Sequence, residues 1–163
     1  MRVLGVDPGL TRAGFGVVEQ IAGKLVPVEH GTIRAEGEGV PEQLAALRLR
    51  LDAVLRRTTP DAMAVERLFV TRNQRTAIRV GQASGIALLV AAEAGIPVIE
   101  YGPLQVKQAI VGTGTATKDQ VGFMVRRLLG LAEPPDSADA ADALALAICH
   151  LHSHRLSAKA VAR

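Results

Sequence analysis

The sequence predicts an α/β fold in a single domain: a mixed sheet of three antiparallel strands and then parallel strands, with helices on both faces. Three observations predict it. Short apolar runs open the chain, whereas after residue 40 such runs alternate with longer stretches of helical periodicity. The 163 residues suffice for one ordinary core and are too few for two. A composition of 48% hydrophobic and 21% charged residues is that of a globular chain rather than a disordered or collagen-like one.

Taken in order, residues 2–7 form an apolar run that Pro8 and Gly9 end, and residues 14–21 and 25–33 are two further strands, joined at Gly23 and Lys24. After Gly39, Pro41 suits a first helical position, and Leu44, Leu47, Leu51, Val54 and Leu55 share one face until Thr58 to Pro60 stops the helix. Residues 61–68 then read as a buried strand, 74–94 as a long helix closed by Gly95, and 97–100 as a short strand. Thr117 and Gln120 make a capping box ahead of the stripe Val121, Met124, Val125, Leu128 and Leu129, which ends at Gly130. A last helix should start near Asp136 or Ser137, behind Pro134 and Pro135, and run through Ala140, Leu144, Ile148 and Leu151. The domain is expected to span residues 1–156, leaving 157–163 as a flexible basic tail.

Composition narrows the classes of function. Only 2% of residues are aromatic, so the core must be aliphatic, and a net charge of +3 permits a polyanionic partner without requiring one. The single cysteine, Cys149, excludes an internal disulfide and a cysteine-rich zinc site and fits a reducing cytoplasm. The opening run lacks the basic start and the length of a secretory signal. Residues 83–92, the most apolar stretch, cover about half the ~20 positions a membrane span needs.

Two carboxylates stand where they are costly. Asp7 closes the first strand on the side of Val3 and Gly5, and Glu66 closes the run Ala62, Met63, Ala64, Val65. Burying an ionised carboxylate costs several kcal/mol unless it is paired or coordinates a metal. Asp139 and Asp142 add two more, spaced three apart on one helical face among the small residues Ala140, Ala141 and Ala143, where a sheet could approach closely. Each has a plainer reading: Asp7 can start a turn with Pro8 and Gly9, Glu66 can pair with Arg67, and acids such as Asp136 suit a helix N-terminus. Shared cations account for all four at once, and an oxygen-only set suits magnesium or manganese rather than zinc or copper. Two such metals could activate water and stabilise a leaving oxygen in phosphodiester cleavage.

Four segments carry a resemblance: GVDPGLTRAGFGVV at 5–18, AVERLFVTRNQRTAIRVGQASG at 64–85, YGPLQVKQAIVGTGTATKDQV at 101–121 and DSADAADALALAICHLH at 136–152. In order and over most of the chain they resemble the RuvC family of Holliday-junction resolvases. The DPG opening alone has little specificity, since actin-like proteins begin similarly, but the later three segments are far more diagnostic. The resemblance implies a ribonuclease-H-like fold and a homodimer that cuts four-way DNA junctions with magnesium, alongside a branch-migration complex of RuvA and RuvB proteins. It implies metal carboxylates at Asp7, Glu66, Asp139 and Asp142, a base-contacting aromatic at Phe69, and basic residues near the scissile phosphate at Lys107 and Lys118.

Charge distribution points the same way. Arg67, Arg72, Arg75 and Arg79 surround Phe69 and Val70 with no acid between residues 67 and 82, so arginines such as Arg72 and Arg75 can bind phosphates while Phe69 stacks on an unpaired base. The plainer alternative puts Phe69 in the core. Residues 143–163 are also free of acids, and His150, His152 and His154 are expected to form a polar helix end rather than a metal site. A sugar-kinase-like ATPase, which opens with a similar turn, needs a second lobe that 163 residues cannot supply. A module that binds branched DNA without cutting it gains nothing from four clustered negative charges. The helix at 74–94, apolar on nearly all sides around Leu88 and Leu89, is the expected dimer face.

Overall fold

The computed structural model describes residues 1–67 and 73–161, with side chains through His154. Strands β1 (Arg2–Asp7), β2 (Arg12–Ile21) and β3 (Lys24–Arg34) form an antiparallel meander, and β4 (Ala62–Glu66) and β5 (Val98–Tyr101) add in parallel beside β1, giving the order β3-β2-β1-β4-β5. The β2–β3 hairpin turns on Ala22 and Gly23, both at positive φ, with Ile21 paired to Lys24. The turn therefore sits one residue earlier than expected, matching the twist that favours two left-handed residues in a tight hairpin.

Helices α1 (Val40–Thr58) and α2 (Gln74–Glu93) cover one face of the sheet. Thr59 closes α1 in a left-handed conformation, its amide donating to the Leu55 carbonyl. Leu47, Leu51, Val54 and Leu55 of α1 bury against Leu4, Val6, Phe15, Met63 and Val65, the residues that strand alternation turns to that side. The opposite face receives α5 (Ala138–Val161), flanked by α3 (Pro103–Val111) and α4 (Lys118–Leu129).

Helix α3 is an addition to the expected elements. It begins with a proline at its first turn and ends at Gly112 in the left-handed region, but buries only Val106 and Ile110, too few positions to show a period in the sequence. The capping box at Thr117 and Gln120 is present, and Gly130 ends α4. The last helix starts at Ala138, with Ser137 oxygen accepting from the Ala140 amide, and its backbone runs to Val161, past residue 156 where the sequence closes the domain. His150 is buried rather than part of a polar end: its Nδ1 lies 2.8 Å from the Tyr101 hydroxyl. No helix among the described residues is long and apolar enough to cross a membrane.

Candidate active site

Three elements bring the four carboxylates to one end of the sheet. Val6 pairs with Val65 in the parallel register, so the next residues, Asp7 and Glu66, end adjacent strands side by side. Helix α5 then passes directly over β1 and β2 because the strands present glycines beneath it. A Cβ on Gly5 would overlap the Ala143 carbonyl, one on Gly14 the Asp139 carbonyl, and one on Gly16 would press on Leu144. Ala140 and Ala143 supply the small partner surface on the helix. The start of α5 is pinned as well, since Ser137 Oγ lies 2.6 Å from Thr32 Oγ1 on β3. Backbones this close allow short aspartates to reach a shared cleft.

That cleft, roughly 150 Å³, is lined by Asp7, Glu66, Asp142, Lys107 and Lys118 together with apolar residues of α3 to α5. Burial, and then the charges of Glu66, Asp142 and Asp139, push the Asp7 carboxyl up to about 7. Glu66 is raised by burial and then by Asp142. Lys118 Nζ sits 2.9 Å from Asp142, and Arg12 Nη2 lies 3.0 Å from Asp139. The hydrogen bond to Asp142 raises the Lys118 ammonium, which in turn partly offsets the shift at Asp7.

Among the described residues, no group of three histidine, cysteine, aspartate or glutamate side chains is arranged to hold a metal ion as it stands. Asp139 and Asp142 are instead engaged with Arg12 and Lys118, whose side chains are 53% and 78% exposed. Both cations can turn away into solvent at little cost, because exposed ion pairs contribute about 1 kcal/mol or less. The donor chemistry fits a hard divalent cation: four carboxylates from three elements, with burial first and their mutual repulsion second pushing Asp7 up to about 7.

Residues 3–150 match the family model for crossover junction endodeoxyribonuclease RuvC. The chain belongs to the RuvC family. A crossover junction endodeoxyribonuclease RuvC of Syntrophomonas wolfei is 51% identical over 158 residues, covering 96% of this chain and 92% of that one. The RuvC of Frankia alni is 54% identical over 153 residues, covering 93% and 78%. Among solved structures, Thermus thermophilus RuvC in complex with Holliday junction substrate is 42% identical, with a TM-score of 0.90 over 96% of each chain. The ribonuclease-H-like sheet described above is the fold of these RuvC structures.

Of the other residues expected at a RuvC site, Lys107 is half-buried on α3 and Lys118 is exposed at the start of α4, both facing the carboxylate cleft. Arg75 is exposed on the first turn of α2, behind the Asn73 cap, whose side chain accepts from the Thr76 amide. Phe69 and Arg72 lie outside the described residues. Sequence reasoning overlooked Arg12, which pairs with Asp139, and the glycines Gly14 and Gly16. Arg12 carried a weak signal as the cation that opens the strand after the Asp7 turn. The glycines carried none until the path of α5 was known.

Proposed function

We propose that this chain is a structure-selective endonuclease that resolves four-way DNA junctions, hydrolysing one phosphodiester in each of two strands with magnesium, for which manganese can substitute. The convergence of Asp7, Glu66 and Asp142 on one cleft walled by Lys107 and Lys118, with Asp139 near enough for its charge to raise Asp7, carries this reading. These four carboxylates would hold the metal, which when bound supplies charge stabilisation and a water of lowered pKa. Lys107 and Lys118 draw the scissile phosphate toward the cleft, and Lys118 exchanges its bond to Asp142 for one to phosphate. Arg72 and Arg75 bind the flanking backbone, while Phe69 stacks on a base opened at the junction. Hydrolysis adds water across a P–O ester bond, so a proton must leave the attacking water. A carboxylate ionised at neutral pH can accept it.

One carboxylate set per chain and two incisions per junction call for a two-fold homodimer. The surface of α2 suits one: Ile78, Leu88 and Leu89 are 61%, 38% and 46% exposed, and Gly85 opens onto free space. Work beside a RuvA and RuvB branch-migration complex in the cytoplasm completes the proposal, with residues 1–156 as the nuclease domain and 157–163 as a basic tail.

The test compares a synthetic four-way junction with linear duplex of the same sequence. Wild-type protein with magnesium should cut the junction at paired sites and leave the duplex intact, and calcium should support binding with little cutting. Asp7→Asn, Glu66→Gln, Asp139→Asn and Asp142→Asn should each lose cleavage and keep junction binding. Near-normal cutting by all four variants would sink the assignment, and binding without cutting by the wild type would favour a recognition module. Leu88→Glu or Leu89→Glu should sediment as a monomer and lose paired incision.

A further inference from the structure

A second groove adjoins the carboxylate cleft, and beyond the residues the two share, the cleavage chemistry makes no use of it. It is about 290 Å³, shares Lys118 and Asp142 with the cleft, and continues between Phe123 and Gly122 of α4 and the pair Pro134 and Pro135. The chain holds three phenylalanines and one tyrosine. Phe15 and Tyr101 are buried, whereas Phe123 is 60% exposed and stands off the stripe Val121, Val125 and Leu129 that seats α4 on the core. Its ring contributes nothing to that core. The Arg127 guanidinium lies over it, 6.0 Å from the centroid, which holds the ring at the surface and adds a cation beside it.

Gly122 is a second, independent observation. It lies inside α4, where glycine weakens a helix, yet a Cβ there would meet nothing within 4 Å. No contact among the described residues requires a glycine at this position. Its bare backbone leaves the floor of the groove open next to the Phe123 ring.

We propose that this groove is a nucleobase subsite in which Phe123 stacks a base of the cleaved strand next to the scissile phosphate. The inference rests on the nuclease reading above. An aromatic face, two proline rings and an open floor fit a flat heterocycle. Continuity with the cleft through Lys118 sets the orientation: the phosphate of that nucleotide lies toward Lys118 and the base toward Phe123. Asp119, also on the lining, repels phosphate and reinforces the same direction. An apolar segment of a partner protein is the rival occupant, but it would have to be covered at a site open to the substrate's backbone.

The experiment uses the full-length protein and four-way junctions carrying 2-aminopurine singly at positions flanking the cut. In an Asp7→Asn background, binding should quench 2-aminopurine at one of these positions. Phe123→Ala should abolish that quenching and Phe123→Trp should retain it. In the otherwise wild-type protein, Phe123→Ala should slow single-turnover cleavage about ten-fold, the scale of one base–aromatic stack, with a smaller change in junction affinity. Gly122→Leu, whose Cβ meets no atom of the described residues within 4 Å and whose longer side chain occupies the groove, should reproduce that loss while melting no lower than the wild type. Wild-type cleavage by both variants, or quenching that survives Phe123→Ala, overturns the subsite. Loss of a protein partner without loss of cleavage in Phe123→Ala also overturns it and assigns the groove to docking. If the wild type fails to cut junctions at all, the nuclease reading fails instead, and the quenching series still decides whether Phe123 stacks a base.

Discussion

On the α1/α2 face of the sheet, Leu4, Val6, Phe15, Met63 and Val65 meet Leu47, Leu51, Val54 and Leu55 through a full layer of large side chains. At the centre of the α5 face, Gly5 and Gly14 lie against the helix backbone at Ala143 and Asp139 and Gly16 against Leu144, while side chains such as Val3, Val125, Ile148 and Leu151 fill the rest of that face. A thick layer removes apolar area from water and supplies stability, at roughly 25 cal/mol per Å². The glycine positions give up side-chain area locally to bring backbones together, so that short carboxylates on a strand and a helix can converge. The faces should therefore respond differently to substitution.

The largest effect is expected from Gly14→Val. The added side chain meets the Asp139 carbonyl, which is backbone and cannot rotate aside, so the start of α5 must move. Overpacking of a tight contact typically costs about 1–3 kcal/mol and occasionally more. Here the displacement also separates Asp139 from Asp7. A lower melting temperature together with loss of junction cleavage should follow, and a variant that cuts normally would show that the close approach is dispensable.

Asp7→Asn should lose most cleavage, because it removes a metal-ligand charge, yet stabilise the metal-free fold. Burial and then Glu66, Asp142 and Asp139 raise the Asp7 pKa from 3.8 to about 7. The folded state therefore holds this proton more tightly than the unfolded chain, and stability is gained as pH falls through 7 and lost as it rises. In chelator, the melting temperature of Asp7→Asn minus that of the wild type should grow between pH 5 and pH 8. A difference that shrinks over that range would contradict the sign. Magnesium competes with this proton for Asp7, so the magnesium concentration that gives half-maximal cleavage should rise as pH falls below 7.

Leu51→Ala, on the thick face, should do the opposite. Leu51 is fully buried, and such truncations cost about 2–5 kcal/mol through lost transfer energy and the cavity left behind. Its site lies across the sheet from the carboxylates, so cleavage per folded molecule should remain at the wild-type level. Chemical denaturation and single-turnover rates measured together separate the two quantities.

The thick face was the more legible in the sequence. Leu47, Leu51, Val54 and Leu55 announced α1 by spacing alone, and the carboxylates announced themselves by their cost at strand ends. Gly14 and Gly16 could not be read, because a glycine's role depends on what crosses it, and the path of α5 is set by contacts with strands more than a hundred residues earlier. Helix α3 escaped because two buried positions do not make a period. His150 was misjudged because its partner, Tyr101, lies 49 residues away in sequence, and alternate spacing with His152 and His154 suggested a common exposed end.

The smallest effect should come from that last pair. Tyr101 follows Pro97 to Glu100 at the edge of the sheet, in register with Glu66, and its hydroxyl meets His150 Nδ1 at 2.8 Å within the α5 face. His150 Nε2 is buried with no hydrogen-bond partner among the described residues, so Tyr101→Phe leaves both ring nitrogens unpaired. Loss of one buried neutral hydrogen bond costs on the order of 1 kcal/mol, and the desolvated acceptor left behind adds to it. Burial, and secondarily His154, lowers the His150 pKa, so the ring is neutral in the fold and the unfolded chain takes up its proton more readily. That contribution to stability is present above the unfolded value of 6.5 and is lost as pH falls below it. Because burial is the first cause of the shift, Tyr101→Phe should lower the melting temperature by a similar amount at pH 6 and pH 8 and leave cleavage unchanged. A deficit that appears only at low pH would mean that the hydroxyl, rather than burial, sets the charge state of His150.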